Sequence, residues 1–133
     1  MVRVEIVEGP LARPGEMGTG DHACGAVVEF QGVVRGEENG AAIAALGYEC
    51  HVEMARVQLT RIAEEVAAFF GLSSLVVLHR IGVIPVGETS LYVRAASKHR
   101  RAGIMAVDEL IVRLKRDVPI WKHAVGSMDR PAG

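Results

Sequence analysis

Two lysines near the C-terminal end, Lys115 and Lys122, are the residues whose placement most suggests chemistry. Lys115 closes a helical pattern, and Lys122 follows seven residues later, beyond Pro119. The segment between them, Arg116-Asp117-Val118-Pro119-Ile120-Trp121, turns the chain and sets the only tryptophan beside Lys122. An aromatic neighbour offers packing for a lysine stem. Two ammonium groups converging on one pocket attract anions strongly and disfavour each other's protonation. The plainer account of Lys115 is a helix-end cation favoured by the macrodipole. His99-Arg100-Arg101 opens the same helix, and basic side chains beside helix-start amides suit phosphate. A solvated basic turn has the same pattern. Arg35 ends a valine-rich segment just before Glu37-Glu38-Asn39-Gly40, a position from which side chains often reach into sites. His79-Arg80, at a strand end, reads as structural.

Other chemistries find little support. His22, Cys24, Cys50 and His51 lack the close paired spacing of zinc ligands, and there is no Cys-x-x-Cys. Core thiols and exposed histidines explain them more simply, so no metal is expected. No Gly-x-Ser-x-Gly, Walker or dinucleotide fingerprint occurs. Charge is uneven: residues 1–93 carry 6 Lys/Arg against 12 Asp/Glu, and residues 94–133 carry 9 against 4. A basic final third on an acidic body points to an anionic ligand held by the C-terminal segment. Six aromatics, a pI near 6.5 and no binding motif argue against nucleic acid.

The elements that must position these residues can be read from periodicity. At 133 residues the expectation is one domain with one core, and half the residues are hydrophobic. No apolar run approaches the roughly 18 residues of a membrane span. The charged, alternating N-terminus and two lone cysteines fit a cytoplasmic chain. Val2–Ile6 alternates as a strand, and Gly9 to Gly20 reads as a loop. Cys24 to Arg35 is a second strand, with Gly25 and Gly32 as bulges or sites of close backbone approach. Residues 37–40 form a turn or a longer mobile loop, and Leu46–Cys50 resumes extended structure. Ala55, Leu59, Ile62, Val66 and Phe69 predict an amphipathic helix ending at Gly71. Leu75–Leu78, Val83–Val86 and Ser90–Ala96 read as three strands. A second helix follows Ser97 as N-cap, buries Ile104, Val107, Ile111 and Leu114, and stops at Pro119. The expected class is α+β.

Taken in order, these segments resemble the MoaE family, the large catalytic subunits of molybdopterin synthase. The matching text includes Gly25-Ala26-Val27-Val28-Glu29-Phe30-Gln31-Gly32-Val33-Val34-Arg35, Leu46-Gly47-Tyr48-Glu49 and Met54-Ala55. It continues with His79-Arg80-Ile81-Gly82, Val86-Gly87-Glu88, Ser97-Lys98-His99-Arg100, Leu114-Lys115 and Pro119-Ile120-Trp121-Lys122. The resemblance implies an α/β hammerhead fold, with a mixed or antiparallel sheet and two main helices. It also implies a homodimer at the centre of a heterotetramer, flanked by small ubiquitin-like sulfur-carrier subunits ending in a Gly-Gly thiocarboxylate. The implied reaction is sulfur transfer to cyclic pyranopterin monophosphate, forming the dithiolene of molybdopterin, with no cofactor in the subunit itself. Lys115 and Lys122 are then the catalytic candidates, Arg35, His99 and Arg100 would bind substrate, and Phe30, Val33 and Val34 would line the carrier-tail channel.

The chain departs from the family pattern in several places. Family members usually have a Glu two residues after the second lysine, where this chain has Ala124. An Asp commonly three residues before the first lysine is Val112, and an Ala-Phe pair after the His-Arg motif is Gly103-Ile104. The usual Gly-x-x-Trp tail is missing, leaving Arg130 as the candidate substitute for its basic residue. These changes leave open a non-catalytic paralogue that docks the carrier. A Schiff-base lysine enzyme acting on small phosphorylated carbonyl compounds would rest on Lys115 alone.

Overall fold

The computed structural model describes residues 1–12 and 22–126. In chain order the elements are β1 (Val2–Glu8), β2 (Ala26–Val33), β3 (Glu37–Glu38), β4 (Ala41–Ala42) and β5 (Ala45–Cys50). There follow α1 (Val52–Phe70), β6 (Ser74–Pro85), β7 (Thr89–Ser97), α2 (Arg100–Asp117) and β8 (Ile120–Val125). The main sheet runs β2-β7-β6-β5-β8, with β1 added beside β6. Only the β1–β6 pairing is parallel among the described strands. The architecture is the expected mixed α+β arrangement with two main helices. No helix among the described residues is long and apolar enough to cross a membrane.

Strand β6 organises the sheet. The two strands expected at Leu75–Leu78 and Val83–Val86 are one continuous element, with Val86 just beyond its end. Ser74–His79 pair with β7, Leu75–Ile81 with β1, and Gly82–Pro85 with β5. Gly82 marks the change of partner with φ +90°, a conformation that costs little without a Cβ. The apolar run therefore continues through what resembled a break.

Both helices cover the face bearing Leu75, Val77, Leu91, Val93 and Ala95. In α1, Ala55, Leu59, Ile62 and Val66 are buried as expected, but Phe69 is 82% exposed. The next turn of the stripe falls on Phe70, which packs against the core, because the helical repeat is longer than 3.5 residues. Gly71 ends the helix at φ +65°, and the amides of Gly71 and Leu72 bond the carbonyls of Ala68 and Ala67. In α2 the buried set is Gly103, Ala106, Val107, Leu110 and Leu114, while Ile104 is exposed. Small Gly103 lets the helix approach β2: a Cβ there would meet Val28 Cγ2 at 3.0 Å and Ser97 Oγ at 2.9 Å. That close approach rotates the helix away from the phase that its large residues suggest. Ser97 is not the N-cap. It ends β7 and donates to the His99 carbonyl at 2.6 Å, and His99 is the cap residue. The helix does stop before Pro119, and the unexpected β8 follows at once.

Candidate active site

The C-terminal end of α2, the start of β8 and the end of β2 surround a cavity of about 420 Å³. Lys115 enters from the last turn of α2, anchored by its buried neighbour Leu114. The helix then closes with the Val118 amide bonded to the Leu114 carbonyl at 3.1 Å. The chain leaves as β8, antiparallel to β5, which places Lys122 opposite Tyr48. Ile120 and Lys122 both line the cavity, as period-two alternation requires. Trp121 falls on the other face of the strand, 62% exposed and outside the lining, so it does not pack the Lys122 stem.

The opposite wall comes from β2 and its continuation. Its pairing with β7 shifts register between Gly32 and Val33 by passing over Ser90, so an irregularity falls beside Gly32 as the sequence suggested, but the extra residue belongs to β7. Past it, the Val34 amide bonds Glu88 and the Gly87 amide bonds Val34, holding the segment against the β6–β7 turn. Phe30, Val33, Val34 and Arg35 all line the cavity. Gly25, the other flagged glycine, is a true close approach: a Cβ would lie 2.7 Å from the Lys98 carbonyl oxygen.

Several lining groups escaped the sequence reading. His79, read as structural, sits on the cavity side of β6, with its ring edge-on to Tyr48 at 5.5 Å between centroids. Burial pushes its pKa below the usual imidazole range, partly opposed by a 2.8 Å hydrogen bond to the Arg80 carbonyl. That carbonyl fixes the proton on Nδ1, so Nε2 of the neutral ring is an acceptor. Glu37 and Glu38 also line the cavity, and Glu38 Oε2 lies 3.2 Å from Lys122 Nζ. Nothing in the sequence joins two residues so far apart. Arg80, on the other side of β6, pairs with Glu88 at 2.7 Å and ties the two flanking motifs together.

His99 and Arg100 lie elsewhere. They occupy the N-terminal end of α2, about 22 Å from Lys115 by helical rise, and are not part of the lining. His99 makes no side-chain cap bond. Arg130 lies outside the described residues. His51 caps α1, accepting from the Met54 amide, and Cys24 and Cys50 are free thiols. Among the described residues no three His, Cys, Asp or Glu side chains gather as metal ligands.

Residues 11–117 match the protein-family model described as MoaE protein. The chain belongs to the MoaE family. Relatives named molybdopterin synthase catalytic subunit include one from Oryza sativa, 39% identical over 105 residues, covering 79% of this MoaE chain and 54% of the relative. Another, from Thermoplasma volcanium, is 35% identical over 101 residues, covering 76% and 74%. The chain spans about half the length of the plant and animal relatives it matches. Among solved structures, molybdopterin synthase from Staphylococcus aureus superimposes with a TM-score of 0.81 at 29% identity, covering 92% of this chain and 90% of that one. A complex of subunits 1 and 2 of molybdopterin-converting factor from Helicobacter pylori shares the fold, with a TM-score of 0.64 at 22% identity over 81% and 75%. The MoaE architecture expected from the motifs is therefore the observed one.

Proposed function

We propose that this chain is a molybdopterin synthase catalytic subunit, a single catalytic domain over residues 1–133 acting in the cytoplasm. It moves sulfur from the thiocarboxylated Gly-Gly terminus of a small carrier subunit onto cyclic pyranopterin monophosphate, forming the molybdopterin dithiolene. The observation that carries this reading is the convergence of Lys115 and Lys122, from either side of a helix break, on a cavity shared with Arg35. Both reactants are anionic, and such a site holds anions while leaving room for a peptide terminus. The apolar wall of Phe30, Val33 and Val34 suits a narrow, extended Gly-Gly tail.

In this mechanism Lys115 polarises the reacting centre and transfers protons as charge develops. Lys122 positions the thiocarboxylate or the substrate, and Arg35 assists at the anion. The phosphate role of His99 and Arg100 needs a second copy of the chain, because one helix separates them from Lys115 within a single copy. A homodimer inside a heterotetramer supplies that copy.

The test is turnover with thiocarboxylated carrier and cyclic pyranopterin monophosphate, with molybdopterin followed by mass spectrometry. Product is expected with the natural chain, and Lys115→Ala should abolish it while circular dichroism stays unchanged. Near-normal turnover by that variant would remove the role of Lys115. Carrier binding without product in the natural chain would instead identify a docking module.

A further inference from the structure

The cavity is less cationic than its lysines suggest. Its charged lining comprises Arg35, Lys115 and Lys122 against Glu37 and Glu38, a formal excess of one positive charge. One carboxylate is in direct contact: Glu38 Oε2 sits 3.2 Å from Lys122 Nζ. The Glu38 side chain is only 16% exposed, although its strand is two residues long. The β3–β4 hairpin holds it there. Asn39 and Gly40 both adopt positive φ, 53° and 83°, the signature of a tight two-residue hairpin turn. The base is fixed by the Ile43 amide bonding Gly36, and by buried Val34 and Ile43 in a small core with Leu46 and Ile84. The hairpin thus presents a carboxylate where an anion would bind.

We infer that Glu38 is a resident counter-ion of Lys122 that an entering anion must displace, so the hairpin sets the anion affinity and selectivity of the cavity. This deepens the proposed function and rests on it only in taking the cavity as an anion site. Lys122 is 55% exposed, so the pair is weak and exchangeable. The Glu38 side chain has three torsions and can swing aside without moving the hairpin. A small monoanion gains little by replacing it. A ligand that also reaches Lys115 or Arg35 gains the additional contacts and wins.

The experiment titrates inorganic phosphate, as the probe, into the folded chain by calorimetry. Variants are Glu38→Gln, Glu38→Ala, Glu37→Gln, Lys122→Ala and the Glu38→Gln/Lys122→Ala double substitution. At about 50 mM salt, Glu38→Gln should bind phosphate roughly two- to fivefold more tightly, the range expected for a partly exposed pair. Glu37→Gln should give a smaller gain, and the Glu38→Gln gain should vanish when Lys122 is absent. Glu38→Ala, which removes the charge another way, should match Glu38→Gln. Unchanged phosphate affinity in both Glu38 variants, or an equal gain without Lys122, overturns the inference. Phosphate binding does not require sulfur transfer, so failure here and failure of the proposed activity are distinguishable.

Discussion

Lys115 and Lys122 enter one cavity from different supports and meet different surroundings. Lys122 faces Glu38, whereas Lys115 has no ion pair among the described residues. The ammonium without a carboxylate partner is the one left to contact the reacting groups, where the proposed mechanism has it exchange protons. Lys115→Arg tests that distinction, because guanidinium keeps the charge but does not deprotonate. Sulfur transfer should fall by at least about 100-fold in this variant, as measured by single-turnover kinetics, while phosphate binding persists. His79 gives a second expectation. Its folded pKa is depressed by burial, so the unfolded chain takes up a proton near pH 6.5 that the folded chain refuses. The His79 contribution should be fully present above pH 6.5 and be lost progressively as pH drops from there towards the folded pKa. Urea midpoints measured across that window should decline less steeply for His79→Gln.

The elements position these side chains through small residues as much as large ones. Gly103 brings α2 close to β2, and this approach fixes which helix positions are buried and hence where Ile111 and Lys115 emerge. Adding a methyl group there forces Val28 or the helix to shift. Gly103→Ala should therefore lose about 1–2 kcal/mol, overpacking outweighing the gain in helix propensity of about 1 kcal/mol. Chemical denaturation measures it, and a stabilised variant would show that the helix has slack. The register shift after Gly32 has a comparable role on the opposite wall. By breaking the register with β7, it carries Val34 and Arg35 out of regular pairing and into the cavity.

Across the whole molecule, α2 holds basic residues at both ends, with Lys115 at one and His99 with Arg100 at the other. A separation of about 22 Å excludes both groups from one small substrate within one chain. If two copies share each site, chains carrying Lys115→Ala and chains carrying Arg100→Ala should complement each other. Each mixed dimer then has one intact site, so an equal mixture should recover about one quarter of natural activity after subunit exchange. No recovery above the separate variants would mean that His99 and Arg100 do not serve the Lys115 cavity.

Local pattern carried much of this protein. Period-two alternation marked β1, valine-rich or extended runs marked β2, β5 and β7, a helical stripe marked α1, and Pro119 marked the end of α2, because backbone chemistry and burial act over a few residues. The Lys115–Lys122 pair, Arg35 and the Phe30–Val34 wall were legible from their motifs. Tertiary packing decided what those rules do not reach. Gly82 made one strand of two apolar runs, Gly103 rotated α2, and strand alternation turned Trp121 away from Lys122. It also brought Glu38 to Lys122 and His79 to the cavity wall, pairings between residues distant in sequence. Such contacts depend on how the sheet is ordered, and strand order is set by the burial of the whole core rather than by any single segment.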